Sequence, residues 1–231
     1  EAKESMTKEV FDQEFKGEFT ALAGRVYSDF SRQSHVGNFP YNPMLPVFLG
    51  VDFGYRMPAV IFFQTGRIGD KGEDHIFIID EILHEKNLKI SELCAAIQKK
   101  KYRISRVFGD PAGYQMQSSV GMGEADIFRQ IMGLPVISRR DKYSRSIASG
   151  ISHVRQYMMT ADGEIRLHID HKCTGIVEDL EAYRYPDHKE NSTLKNEPLK
   201  NGYNDHGADA LRYGICGRFP IRKQKYRTEQ L

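Results

Sequence analysis

Hydrophobic residues recur at helical spacing along the first 37 residues, which predicts a helical segment there. The residues that set this spacing are Val10, Phe11, Phe15, Phe19, Leu22, Val26 and Tyr27. Three prolines between Pro40 and Pro46 interrupt the pattern, because proline cannot continue a helix and biases the preceding residue to extended geometry. We therefore expect residues 1–46 to be a helical arm with a proline-rich boundary, followed by the main domain.

Short apolar runs follow the prolines and are typical of buried strands. They are VFLGVDF at 47–53, AVIFFQ at 59–64 and HIFIIDEIL at 75–83. Further along, the pattern predicts helices at 87–102, 124–132, 144–159, 172–183 and 204–216, with strands at 104–109 and 134–138. Three strands followed by alternating helices and strands predict an α/β fold. We expect a mixed sheet of five or more strands, with an antiparallel hairpin side and helices on both faces.

Composition narrows the class of protein. The 231 residues are 40% hydrophobic and 28% charged, which is ordinary for a globular domain and excludes a disordered chain. No apolar run is long enough to cross a membrane, and the charged N-terminus lacks the apolar segment of a secretory signal. The three cysteines are widely spaced (Cys94, Cys173 and Cys216). They match neither a disulfide framework nor a zinc motif, which favours a reducing compartment.

The net charge of +2 hides an uneven distribution of charge along the chain. Basic residues gather at 95–109, at 138–145 and in the tail at 218–231. Any one of these runs is explained by a solvated surface, but three of them in a nearly neutral chain point to a polyanionic partner.

Three aspartates stand among small or apolar neighbours: Asp52 in the first strand, Asp110 directly after the fourth and Asp209 in the last helix. A carboxylate buried in such company needs a partner, a proton or a metal ion. First and fourth strands are neighbours in several mixed-sheet folds, and oxygen ligands suit Mg²⁺ or Mn²⁺. A single aspartate of this kind more often caps a turn or pairs with a base, whereas the three together favour a metal site.

Asp205 and His206 lie one helical turn before Asp209, so they share its face of the helix. This position suggests a supporting or proton-transfer role for His206 and an accessory metal role for Asp205.

The motifs GVDFG at 50–54, GDPAG at 109–113 and DHGADALRYG at 205–214 resemble those of a known family. It is the nuclease domain of the large terminase subunit of tailed double-stranded DNA bacteriophages, of the RNase H-like superfamily. The resemblance covers residues 47–217. It implies that Asp52 bridges two metal ions, with Asp110 and Asp209 each holding one. The sequence contains no GxxxxGK[ST] motif, so the resemblance also implies that the ATPase domain of the same polypeptide lies outside these residues.

The resemblance further implies a metal-dependent endonuclease that cuts concatemeric double-stranded DNA at the start and end of packaging. Such hydrolysis uses two ions, and contacts to phosphates alone give little sequence specificity. The implied partners are the portal protein and the small terminase subunit, in the host cell cytoplasm and away from membranes. Basic residues that we expect to bind DNA are Arg139, Arg140, Lys142, Arg145, Lys189, Lys195 and Lys200.

Two alternatives stay open at this point. One is another RNase H-like nuclease or strand-transferase, such as a resolvase or a transposase. The other is a non-catalytic module that docks on the portal or on DNA through the basic tail at 218–231.

Overall fold

The computed structural model describes residues 24–54, 57–68, 72–115, 121–139, 146–186 and 197–221. The strands are β1 (Val36–Gly37), β2 (Val47–Asp52), β3 (Ala59–Ile68), β4 (Glu73–Ile82), β5 (Ile104–Gly109), β6 (Val136–Ile137) and β7 (Leu167–Asp170). The α-helices are α1 (Arg32–His35), α2 (Ile90–Lys99), α3 (Glu124–Met132), α4 (Ile147–Met158), α5 (Thr174–Ala182) and α6 (Asn204–Arg218). A 3₁₀ turn spans Pro111–Tyr114.

The seven strands form one mixed sheet in the order β1-β7-β4-β3-β2-β5-β6. Strands β2, β3 and β4 pair antiparallel, while β2 with β5 and β5 with β6 pair parallel. This arrangement confirms the predicted α/β class, a mixed sheet with an antiparallel hairpin side. The sequence pattern did not predict β1 and β7, which extend the hairpin side through a parallel pairing of β7 with β4.

Both faces of the sheet are buried, because successive residues of its central strands enter two separate hydrophobic clusters. Along β3, Ala59, Ile61 and Phe63 join the cluster that contains residues of α4, α5 and α6. Val60 and Phe62 join the cluster that contains residues of α2 and α3. The alternation follows the two-residue period of a strand, and it places helices on both faces as predicted.

The part of the N-terminal arm that the structure describes packs into the same core. Val26, Tyr27 and Phe30 are buried, and the ring of Tyr27 lies 6.4 Å from that of Tyr183. Only α1 is helical in residues 24–37, and β1 joins the sheet beside β7. Of the helical segment predicted for residues 1–37, the part at residues 1–23 lies outside the described residues. No helix in the described part of the chain is both long and apolar enough to cross a bilayer.

Helix α6 lies directly against β2, with glycine on both sides of the contact. A Cβ atom added to Gly50 would stand 2.2 Å from the Ala210 carbonyl oxygen and 3.0 Å from Gly214 Cα. The backbones therefore approach more closely than any side chain permits. One helical turn before Ala210, α6 contacts the chain just after β2: a Cβ on Gly54 would stand 3.2 Å from His206 Cε1. The start of α6 therefore lies over the end of β2.

We predict that Gly50→Ala destabilises the fold by at least the roughly 1–3 kcal/mol typical of overpacking, since the obstructing atoms are backbone. Gly66→Ala is the matched control in β3, because its Cβ would meet side-chain atoms only at 3.6 and 3.8 Å. Urea unfolding of both variants measures the difference. Equal stability of the two variants would contradict the close packing of α6 on β2.

Candidate active site at the carboxyl ends of the central strands

Asp52 and Asp110 lie side by side at one end of the sheet. Val51 of β2 pairs with Gly109 of β5, so the next residue of each chain segment emerges at the same edge. The structure thus brings together the two carboxylates whose proximity the strand order predicted. The Asp110 carboxylate accepts a hydrogen bond of 2.9 Å from the Ala112 amide, which caps the 3₁₀ turn.

Asp209 projects from α6 and is 3% exposed. The Arg212 guanidinium donates to its Oδ1 at 2.7 Å, and the Lys200 ammonium donates to its Oδ2 at 3.1 Å. Both oxygens of Asp209 therefore carry a cationic partner. Arg212 is itself buried, whereas the Lys200 side chain is 57% exposed.

His206 joins the helix to the first strand of the site. Its Nδ1 donates to Asp52 Oδ2 at 2.8 Å. This hydrogen bond, against the effect of partial burial, raises the pKa of His206, and the charges of Asp205 and Asp209 raise it further. A proton held at Nδ1 fixes the orientation of the Asp52 carboxylate.

The three carboxylates interact electrostatically. Burial raises the pKa of Asp52, the hydrogen bond from His206 lowers it, and the negative charges of Asp209 and Asp110 raise it again. Like charges raise one another's pKa only when they are near, so the site concentrates negative charge.

Asp205 has a local role in the structure. It is buried, and its Oδ1 accepts a hydrogen bond of 3.1 Å from the Tyr203 amide just before α6. Its negative charge raises the pKa of His206 and of Lys200. Asp205 therefore contributes to the field around the site and braces the start of the helix.

Within the described ranges, no three Asp, Glu, His or Cys side chains are arranged to hold a metal ion. The carboxylate oxygens of the site accept hydrogen bonds instead. Lys200 and Arg212 donate to Asp209, His206 donates to Asp52, and the Ala112 amide donates to Asp110. The donor chemistry still fits Mg²⁺ or Mn²⁺, which prefer carboxylate oxygens. A divalent ion at Asp209 Oδ2 would compete with the exposed Lys200 for that oxygen.

Two of the predicted DNA-binding residues are described. Lys200 contacts Asp209, and Arg139 donates to the Gly217 carbonyl at 3.2 Å. Arg140, Lys142, Arg145, Lys189 and Lys195 lie outside the described residues. The basic run at 95–109 leads into the start of β5, at the end of the sheet opposite Asp110. Lys100 of this run pairs with Asp80 of β4 at 2.7 Å.

Sequence reasoning missed a buried carboxylate that anchors the start of α6. Asp179 of α5 is fully buried, and its Oδ1 accepts hydrogen bonds from His84 at 2.8 Å and from Asn204 at 3.1 Å. The rings of His84 and Tyr203 stack with centroids 4.2 Å apart. A Cβ on Gly207 would stand 2.1 Å from Asp179 Oδ2, which explains glycine beside His206.

One signal in the sequence could have identified Asp179. It lies three residues after Ile176 and four before Tyr183, on the apolar face of its helix, where an acid is out of place.

Burial raises the pKa of Asp179 to about 6, although the positive charge of His84 lowers it. The unfolded carboxyl titrates near 3.9, so the folded state binds the proton more tightly. The contribution of Asp179 to the free energy of unfolding therefore falls as pH rises from about 4 to about 6, by up to about 3 kcal/mol. We predict that Asp179→Asn gains stability relative to the wild type over that interval.

Denaturant unfolding at pH 4, 5, 6 and 7 measures this effect. Glu197→Gln, at an exposed acid in the segment before α6, is the control and should follow the wild type closely. A constant difference between Asp179→Asn and the wild type at all four pH values would contradict the assignment.

No protein-family model matches the sequence. The chain is 22% identical over 224 residues to the large terminase subunit of Escherichia phage T5, a match that covers 93% of this chain and 47% of that protein. The chain thus spans about half the length of this curated relative.

Several solved structures share the fold, and two of them are nuclease domains on their own. The nuclease domain of the P22 large terminase superposes with a TM-score of 0.63 at 20% identity, covering 85% of this chain and 93% of that one. The nuclease domain of the SPP1 large terminase, solved with bound Mn, gives a TM-score of 0.53 at 14% identity, covering 84% and 97%. This chain is therefore similar in sequence to a large terminase subunit and has the fold of large terminase nuclease domains.

Proposed function

We propose that this chain is a divalent-metal-dependent endonuclease that cuts double-stranded DNA during viral genome packaging. The observation that carries the proposal is the meeting of Asp52, Asp110 and Asp209 at one end of the sheet, in a fold shared with terminase nuclease domains. The Mn bound by the SPP1 nuclease domain supports a divalent ion.

In this proposal Asp52, Asp110 and Asp209 hold one or two Mg²⁺ or Mn²⁺ ions, with Asp205 as an accessory acid. Such ions supply a nucleophilic water at neutral pH and stabilise the charge that develops on the leaving oxygen of the phosphodiester. His206 keeps its Nδ1 proton on Asp52 and orients that carboxylate. Arg212 holds Asp209 Oδ1 from the buried side, so the other oxygen faces the more exposed Lys200.

The positive side chains around the acids provide the means to bind a polyanion. We propose that Lys200 and Arg139 contact DNA phosphates, and that Arg140, Lys142, Arg145, Lys189 and Lys195 extend that contact. Phosphate contacts carry no base information, so cutting has little sequence preference. The resemblance of the sequence motifs adds the ATPase domain of the same polypeptide, the portal protein and the small terminase subunit as partners, and action in the host cytoplasm, to this proposal.

The test of this proposal is cleavage of supercoiled plasmid by the purified chain in Mg²⁺ or Mn²⁺. Asp52→Asn, Asp110→Asn and Asp209→Asn should each lower the rate at least about 100-fold, the upper end of what loss of a residue that merely supports a metal ligand costs. Asp74→Asn, at the start of β4 and far from the site, should cut normally, and a chelator should stop all cutting.

Product analysis separates the proposal from its alternatives. Linear duplex from plasmid supports a packaging nuclease, whereas selective cutting of four-way junctions or joining of strands supports a resolvase or transposase. Undiminished cutting by all three asparagine variants would refute the assignment of the carboxylates.

Competition between Lys200 and a metal ion gives a second prediction. Burial lowers the pKa of Lys200, but the carboxylate of Asp209 outweighs that effect, so the pKa is raised and the ammonium stays charged. Lys200→Met should therefore increase the affinity for Mn²⁺ by about 1.4-fold to fivefold, since an ion pair with one exposed partner is worth about 0.2–1 kcal/mol.

Isothermal titration of Mn²⁺ into the DNA-free protein measures this change. Lys172→Met, at an exposed lysine 3.8 Å from Asp80, serves as the control for loss of one positive charge. Weaker Mn²⁺ binding by Lys200→Met would show that Lys200 does not compete for Asp209.

A further inference from the structure

A cavity of about 270 Å³ opens beside the carboxylate cluster. Its wall includes Asp110 and residues of β6, α4, α6 and the segments after β6 and before α6. Arg139, Lys200, Arg212 and Tyr213 are among the lining residues. This volume is far more than one water molecule needs. We call it the basic cavity.

The lining of the basic cavity attracts an anion. Arg139, Lys200 and Arg212 contribute three cationic groups, against the single carboxylate of Asp110. Arg212 is already neutralised by Asp209, to which it donates from both Nε and Nη2. Its guanidinium also lies 4.5 Å above the ring of Tyr213. The Arg212 side chain is therefore held in place and forms part of the cavity wall. Arg139 and Lys200 are then the groups able to meet a ligand.

Arg139 has an unused donor. Its Nη2 binds the Gly217 carbonyl, but its Nε is buried and has no hydrogen-bond partner among the described residues. Leaving a buried donor unpaired is unfavourable by about 1–3 kcal/mol, and more for a charged group. The structure therefore retains an arginine whose hydrogen bonds are incomplete, at the wall of a cavity beside the proposed catalytic acids.

We infer that the basic cavity binds a backbone phosphate of the DNA strand, next to the phosphate that is cut. The guanidinium fork matches the geometry of phosphate oxygens, and Arg139 supplies it. Lys200 would add a second cation once it leaves Asp209. The cavity shares Asp110 with the carboxylate cluster, so its phosphate is a neighbour of the scissile one. This inference rests on the proposed nuclease function for its choice of DNA.

The experiment measures binding of a fluorescent 20-base-pair duplex by anisotropy, in Ca²⁺, over a range of salt concentrations. Each phosphate contact contributes about 0.9 to the slope of log Kobs against log salt. Arg139→Gln should lower that slope by about one and weaken binding about eightfold at 0.1 M salt. Arg106→Gln is the matched control, because Arg106 is exposed near the start of β5, at the other end of the sheet.

A second variant shows whether an effect of Arg139→Gln on DNA binding results from misfolding. Arg139→Lys keeps the charge but not the fork, so it should retain the slope and bind several-fold more weakly than the wild type. An unchanged slope and affinity in Arg139→Gln overturns the inference, as does wild-type affinity in Arg139→Lys or absence of DNA binding by the wild type. Inorganic phosphate that stabilises the wild type but not Arg139→Gln, with DNA binding unaffected, would assign a free-phosphate site and also overturn it.

Cleavage measured on the same preparations separates this inference from the proposed function. Binding that depends on Arg139 without any cutting supports the phosphate site and refutes the nuclease. Cutting by a wild type whose DNA binding is indifferent to Arg139→Gln supports the nuclease and refutes the phosphate site.

Discussion

The contact between α6 and β2 is the constraint on which the rest of the site depends. Gly50 and Gly214 let the two backbones meet without an intervening side chain. The helix then runs over the end of the strand, where His206 reaches Asp52. Because residues three apart on a helix share a face, Asp209 is carried to the same place. Residues more than 150 positions apart thus form one cluster through backbone packing.

The negative charge of the clustered carboxylates is stabilised by the cationic and hydrogen-bonding side chains around them. Buried carboxylates need positive partners or protons, and Arg212, Lys200 and His206 supply positive charge or hydrogen bonds here. Arg212 is buried with Asp209 and forms a permanent part of the site. Lys200 is largely exposed, so it can be exchanged for another cation. The negative charge of Asp209, which attracts Lys200, also attracts a divalent ion.

The sequence predicted the sheet class and the meeting of Asp52 with Asp110, since strand order and strand ends follow from short apolar runs. It did not reveal β7, because a strand of four residues in a polar setting gives little pattern. Nor could it reveal that Lys200 contacts Asp209 or that His84 contacts Asp179. Such contacts depend on how separate segments pack together, which local periodicity does not encode. Asp179 alone left a local trace, as an acid on an apolar helix face.

The arm before the sheet shows the same limit. Helical spacing in Val26 and Tyr27 reflected burial, yet the described segment there is mostly turn, with a short helix and a short strand. Apolar residues at helical spacing also suit a chain that lies across a core and inserts side chains at intervals. The hydrophobic periodicity therefore identified buried residues correctly. It predicted helix, however, for a segment whose backbone is mostly turn.

The most direct test of the metal-dependent account is a crystal structure of this chain grown in Mn²⁺, with the ions located by anomalous scattering. The account predicts one or two Mn²⁺ ions bound by Asp52, Asp110 and Asp209, with Lys200 displaced from Asp209. Saturating Mn²⁺ that leaves these carboxylates free of metal, with Lys200 still bound to Asp209, would contradict it.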